Sequence, residues 1–148
     1  MEIEKVKYKV DNLIKEFESL TNNVEIEYKE DFIKTFIEYY KDNLKKCEDA
    51  HESIEITFED MAYDFGPLGC DITHIDKYNS ELKIKYNIYD DVIYELTYIL
   101  KNGFVNKIDI NPKNVSAYLI PWILNTKDYL ENTDLNDLIN EFLKDFEY

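Results

Sequence analysis

Arginine and glutamine are absent from this 148-residue sequence, so all seventeen basic residues are lysines. Without a guanidinium fork the chain cannot clamp phosphate or carboxylate in bidentate fashion. That disfavours a nucleotide site, although lysine and metal together can replace the fork. Glycine and proline number three each, and neither occurs before Gly66. Positive charge is scarce: 17 lysines face 32 acids, for a net charge of −15 and a pI near 4.4. A chain this acidic excludes direct electrostatic binding to nucleic acid or to an anionic membrane, since both need a basic surface. Long apolar runs are also missing. The longest, Ala117 to Leu124, interrupts itself with Pro121 and falls far short of a membrane span. The opening MEIEKVKYK interleaves charges and has no apolar core, so no signal peptide is expected. Two cysteines in such a chain read as free thiols, and the expected location is cytoplasmic.

What is present suffices for a packed core. Hydrophobic residues make up 45% and aromatics 15%, which argues against disorder and for a single domain over 1–148. Ile, Lys, Asn, Tyr and Phe, the residues of AT-rich codons, supply almost half the chain, as in a low-GC bacterium or its phage.

Ile3, Val6, Val10, Leu13, Phe17 and Leu20 recur at spacings of three and four, one apolar stripe on a first helix. Thr21-Asn22-Asn23 ends it, because short polar side chains favour turns. Val24 to Tyr28 reads as a short strand or an extended link. A second helix is expected over Lys29 to Asp49, burying Ile33, Phe36, Ile37, Tyr40, Leu44 and Cys47. The period then changes to two. Ile54, Ile56 and Phe58 suggest a strand, as does Ile72 to Lys77. Leu82, Ile84, Tyr86 and Ile88 alternate strictly with polar residues, as do Val92, Tyr94, Leu96, Tyr98 and Leu100 after the Asp90-Asp91 turn. A helical reading of 91–102 is the rival. Asn102-Gly103 carries the strongest short hairpin signal and leads into Phe104 to Ile110. Asn111-Pro112 fits a helix N-cap followed by proline at the first helical position, and Pro121 must kink or restart that helix. Leu135, Leu138, Ile139, Phe142 and Phe146 mark a last helix. The expected fold is α+β: two N-terminal helices, an antiparallel meander of four to five strands over about 53–110, and two to three C-terminal helices packed on one sheet face.

The negative charge is concentrated. Between Lys46 and Lys77 no lysine occurs, while Glu48, Asp49, Glu52, Glu55, Glu59, Asp60, Asp64, Asp71 and Asp76 all do. From 128 to 148, Asp128, Glu131, Asp134, Asp137, Glu141, Asp145 and Glu147 face Lys144 alone. Acidic faces keep a small domain soluble, and rows of carboxylates also offer a polyanion-like ladder to a basic protein groove. The candidate partner-binding residues are Glu48, Asp49, Glu52, Glu55, Glu59, Asp60 and Asp64, with Glu55 and Glu59 pointing the same way on the strand expected there. Exposed tyrosines beside them would suit such an interface; Tyr39-Tyr40 cannot both face inward.

Cysteine and histidine fall into one pattern, Cys47 to His51 and Cys70 to His74, each pair four apart. Four such ligands suit tetrahedral zinc. On a strand, however, residues four apart lie about 13 Å from each other and cannot share an ion. Chelation therefore needs 70–74 to be helical or a turn, and no metal or cofactor is assigned. Phosphate-loop, nucleophile-elbow and calcium-loop patterns are absent. A Cys47 or Cys70 nucleophile has no supporting motif. The leading expectation is therefore a non-enzymatic cytosolic inhibitor or antagonist. It would bind a basic protein, such as a nuclease or another nucleic-acid-binding protein, through its acidic patches. In size and charge the chain is similar to phage counter-defence proteins of the anti-CRISPR or DNA-mimic type and to toxin-immunity proteins, a likeness of composition that rests on no motif. A zinc-stabilised or enzymatic Cys2His2 domain and an adaptor whose acidity serves only solubility are the alternatives.

Overall fold

A computed structural model describes residues 2–47 and 49–144, the Glu2 side chain apart, and the chain divides into two compact units. The first comprises Met1–Gly66 and Lys113–Asn125, the second Pro67–Pro112 and Thr126–Tyr148. Phe146 of the expected last helix lies outside the described residues.

In the first unit, helix α1 (Glu2–Leu20) buries Val6, Val10, Ile14 and Phe17. The stripe is the expected one with Ile14 in place of Leu13, and Ile3 sits at its exposed margin. Thr21 closes the helix, its N–H and hydroxyl both donating to the Phe17 carbonyl. Strand β1 (Glu25–Glu27) follows. Helix α2 (Lys29–Lys46) buries Phe32, Phe36, Tyr40 and Asn43, while Ile33, Ile37 and Leu44 fall on its flanks. The buried face is thus rotated by about one residue from the hydrophobic reading, because it includes the polar Asn43.

Residues 50–64 overturn the strand expected there and form helix α3 (Ala50–Asp64). The alternation of Ile54, Ile56 and Phe58 coincides with a second, helical spacing, Ile54–Phe58–Met61–Phe65. Asp49 starts the helix by accepting from the His51 backbone N–H at 2.9 Å. The expected N-cap at Asn111-Pro112 is likewise overturned. That peptide is cis, and strand β6 (Asn114–Ser116) follows, pairing in parallel with β1 so that Val115 opposite Ile26 is buried in extended chain. A helical start there would withdraw Val115 from this ladder. The helix begins later: Ser116 accepts from the Tyr118 N–H ahead of a 3-10 turn, Ala117–Leu119, and helix α4 (Ile120–Asn132) carries Pro121 in its first turn, where no N–H is needed. The apolar run places Ala117, Leu119, Ile120, Ile123 and Leu124 in the core.

The second unit holds four antiparallel strands in the order β2-β3-β4-β5: β2 (Gly69–Tyr78), β3 (Glu81–Tyr89), β4 (Ile93–Lys101) and β5 (Phe104–Asn111). The region 91–102 is therefore turn and strand. Leu82, Ile84, Tyr86 and Ile88 on β3 and Tyr94, Leu96, Tyr98 and Leu100 on β4 share the buried face, with Val105, Ile108 and Ile110 from β5. Val92 belongs to the turn and is exposed. Asn102 and Gly103, at φ 54° and 85°, both occupy the left-handed region that a tight two-residue hairpin turn requires. Helix α5 (Leu135–Lys144) covers the same sheet face: Leu135 and Ile139 line one cleft with Leu82 and Leu100, and Leu138 and Phe142 line another with Cys70 and Ile72.

The β4–β5 ladder shifts register between Ile99 and Leu100. There the backbone N–H of Val105 donates to the Glu131 carboxylate of α4 at 2.7 Å, and Lys127 Nζ holds the same carboxylate at 2.9 Å. Both side chains of this pair are about 15% exposed (14% and 15%), so little water competes. Removing the acceptor leaves a strand N–H and an ammonium without it. Glu131→Ala is therefore expected to cost about 2 kcal/mol in chemical denaturation; a loss below about 0.5 kcal/mol would show the contact to be incidental.

Candidate functional site

The acidic residues of segment 47–64 are brought together by the pairing of α2 with α3. On α3 the inward positions are Ser53, Thr57 and Met61, each fully buried, with Ala62 beside them. Two of these are polar and are satisfied within the helix pair. Thr57 donates to the Ser53 carbonyl at 2.7 Å, Ser53 donates to the Asp49 carbonyl at 2.9 Å, and Asn43 of α2 donates to the Thr57 hydroxyl at 2.9 Å. The same Asn43 amide also donates to Asp60 at 3.1 Å. Each buried hydroxyl thereby has a partner, as burial demands.

With that side inward, the opposite side of α3 carries Glu52, Glu55, Glu59 and Tyr63, all exposed and spaced three, four and four. Such spacing puts them in one row. Glu55 and Glu59 do share a face, because a helix repeats every four residues and not because a strand alternates. Asp60 and Asp64 lie on the flank toward α2, where Asp64 accepts from the Tyr39 hydroxyl at 2.7 Å. Tyr40 points into the core and Tyr39 to this edge. The hydrogen bond to Asp64, then burial, push the Tyr39 phenol up to about 12. A few residues along α2, Tyr118 donates to Asp31 and shares a hydrogen bond with Thr35.

Among the described residues, no lysine pairs with Glu52, Glu55, Glu59, Asp60 or Asp64. The row's side-chain contact among the described residues is His51 Nε2 at 3.1 Å from Glu55, with both side chains about two-thirds exposed (68% and 66%). Asp49 is a helix cap and Glu48 lies outside the described residues. Asp71 and Asp76 belong to β2 in the second unit. Of the acids after 127, Asp128 and Glu131 pair with Lys127 and Asp134 caps α5 by accepting from the Asn136 and Asp137 N–H groups, while Asp137 and Glu141 are exposed on α5. Asp145 and Glu147 lie outside the described residues. The exposed row on α3 thus has no lysine partner among the described residues.

The cysteine–histidine pattern does not close into a metal site. Cys70 and His74 both lie on β2, so the helix or turn that chelation needs is replaced by extended chain. Cys47 ends α2 in an extended conformation and His51 sits in the first turn of α3, so that pair does not share a continuous helix either. No group of three or more His, Cys, Asp and Glu among the described residues is arranged to hold a metal ion. The Cys70 thiol is pushed up by desolvation of its sulfur and then by Asp71, opposite to what a thiolate nucleophile requires.

One element has no sequence motif of its own. Beside the acidic row, Glu59, Asp60, Ala62, Tyr63, Trp122 and Asn125 line a cleft of about 550 Å³. Gly66 permits the indole to lie close: a Cβ there would stand 2.7 Å from the Ala62 carbonyl oxygen and 3.1 Å from Trp122 Cδ1. The signal available was Gly66 itself, placed at the end of an acidic helix. No helix among the described residues is long and apolar enough to cross a membrane. In comparisons with known proteins, the chain matches no family model, no curated protein and no solved structure.

A phenol whose folded pKa lies above its unfolded value near 10 contributes stability that is complete below that pH and is lost as pH rises toward the folded value. Stability should therefore fall between pH 10 and about 12, and Tyr39→Phe should remove part of that fall. Denaturation measured across this range decides it; identical alkaline profiles for the two proteins would mean that Tyr39 and Asp64 are not coupled.

Proposed function

We propose that the chain is a binding protein, not an enzyme, and that its α3 face engages the basic surface of a protein that handles nucleic acid, acting as its inhibitor or antagonist. The observation that carries this reading is the exposed row Glu52–Glu55–Glu59, which has no lysine partner among the described residues. At a rise of about 1.5 Å per residue the three carboxylates span roughly 10 Å along the helix. One strand of DNA places about three phosphates in the same length, at 3.4 Å each. A groove that accepts one charge ladder at that density presents the right potential for the other. Because the row is solvent-exposed, such association would be fast at low salt and weaken as salt rises.

The test is charge reversal outside the neighbouring cleft. Glu52→Lys with Glu55→Lys changes two exposed side chains and should leave the fold intact, as circular dichroism would report. Capture from a cell lysate at low salt, followed by mass spectrometry, should return basic nucleic-acid-handling proteins with the parent chain and lose them with the double variant. A set of captured proteins that is not enriched in basic chains, or that survives the reversal, would remove the proposal.

A further inference from the structure

We propose that the cleft beside α3 is an anchor pocket for a single arginine side chain on the surface of a partner protein. This inference rests on the reading of the α3 face as the partner surface and assigns the residue that the partner must bring. The cleft, of about 550 Å³, is roomy enough to admit a long side chain of a partner. Its wall is the indole of Trp122, held close to the α3 terminus by the missing side chain of Gly66. Its acidic rim is Glu59, which has no hydrogen-bond or ion-pair partner among the described residues, and Asp60, one of whose oxygens accepts from Asn43. Tyr63, 89% exposed, adds a second ring.

Aromatic faces with adjacent carboxylates attract a cation, and these walls discriminate between cations. A guanidinium is planar, stacks on an indole and forks onto a carboxylate, whereas an ammonium supplies only a hydrated point charge. A metal ion would need a set of convergent oxygen, nitrogen or sulfur ligands, and no such group occurs among the described residues. The chain contains no arginine of its own to fill the pocket. An arginine from outside is the ligand that matches ring and charge together.

Trp122 is the only tryptophan, so its emission reports on this cleft alone. The experiment titrates the full chain at low salt with hexa-arginine and hexa-lysine peptides, following peptide anisotropy and Trp122 fluorescence in parallel. Hexa-arginine should bind at least about fivefold more tightly than hexa-lysine, as expected for one desolvated cation–π contact of about 1 kcal/mol, and should shift the Trp122 emission. Tyr63→Ala and Glu59→Gln, both at exposed positions, should each reduce the preference for arginine while leaving hexa-lysine binding the less affected. Equal affinities for the two peptides, an unmoved Trp122 signal during binding, or no binding of either peptide would each overturn the anchor. The α3-face reading is judged separately: peptides that bind alike and are both lost on reversal of Glu52 and Glu55 would support the carboxylate row and reject the pocket.

Discussion

The amide of Asn43 sets the orientation on which the exposed chemistry depends. An α3 helix that buries Ser53 and Thr57 cannot be held by apolar contact alone, since each buried hydroxyl needs a partner. Ser53 and Thr57 donate to carbonyls within α3, and Asn43 fixes the helix against α2 by donating to the Thr57 hydroxyl and to Asp60. Rotating α3 by one residue would break these bonds, and in the direction that turns Glu52 inward it would also bring a carboxylate toward the core, where an unpaired charge is far more costly than a lost hydrogen bond. The outward direction of Glu52, Glu55 and Glu59 is thus a consequence of what lies on the other side of the helix.

The charge of the whole chain takes a different meaning once its acids are sorted by partner. Glu131 ties a displaced strand N–H and Lys127 together, Asp134 and Asp49 close helix starts, and Asp64 holds Tyr39. These groups are negative because a strong acceptor is needed where they sit. Glu52, Glu55 and Glu59 make no such internal bond among the described residues. Glu55 meets only His51, in water. A surface pair of that kind is worth little, so the row stays available to an external cation.

Much of the architecture was legible beforehand. The stripe of α1 and the alternation of Leu82 to Ile88 and Tyr94 to Leu100 are patterns with one dominant period, and Asn102-Gly103 has side-chain requirements that few other turns share. The reading failed where two patterns coexist. Ile54, Ile56 and Phe58 satisfy a period of two and, with Met61 and Phe65, a period near 3.6. The cap at Asp49 and the hidden polar side at Ser53 and Thr57 settle the choice. Asn111-Pro112 has the composition of a helix start, yet the pairing of Val115 opposite Ile26 keeps the following chain extended.

Local sequence by itself determined the strands of the meander, the two-residue turn at Asn102-Gly103, the acidity and the absence of arginine, because each follows from neighbouring side chains or from composition. Tertiary structure alone decided which acids are free and that Trp122 stands beside Glu59 and Asp60 against Gly66. Those outcomes depend on residues far apart in the chain, whose mutual distances no spacing along the chain encodes.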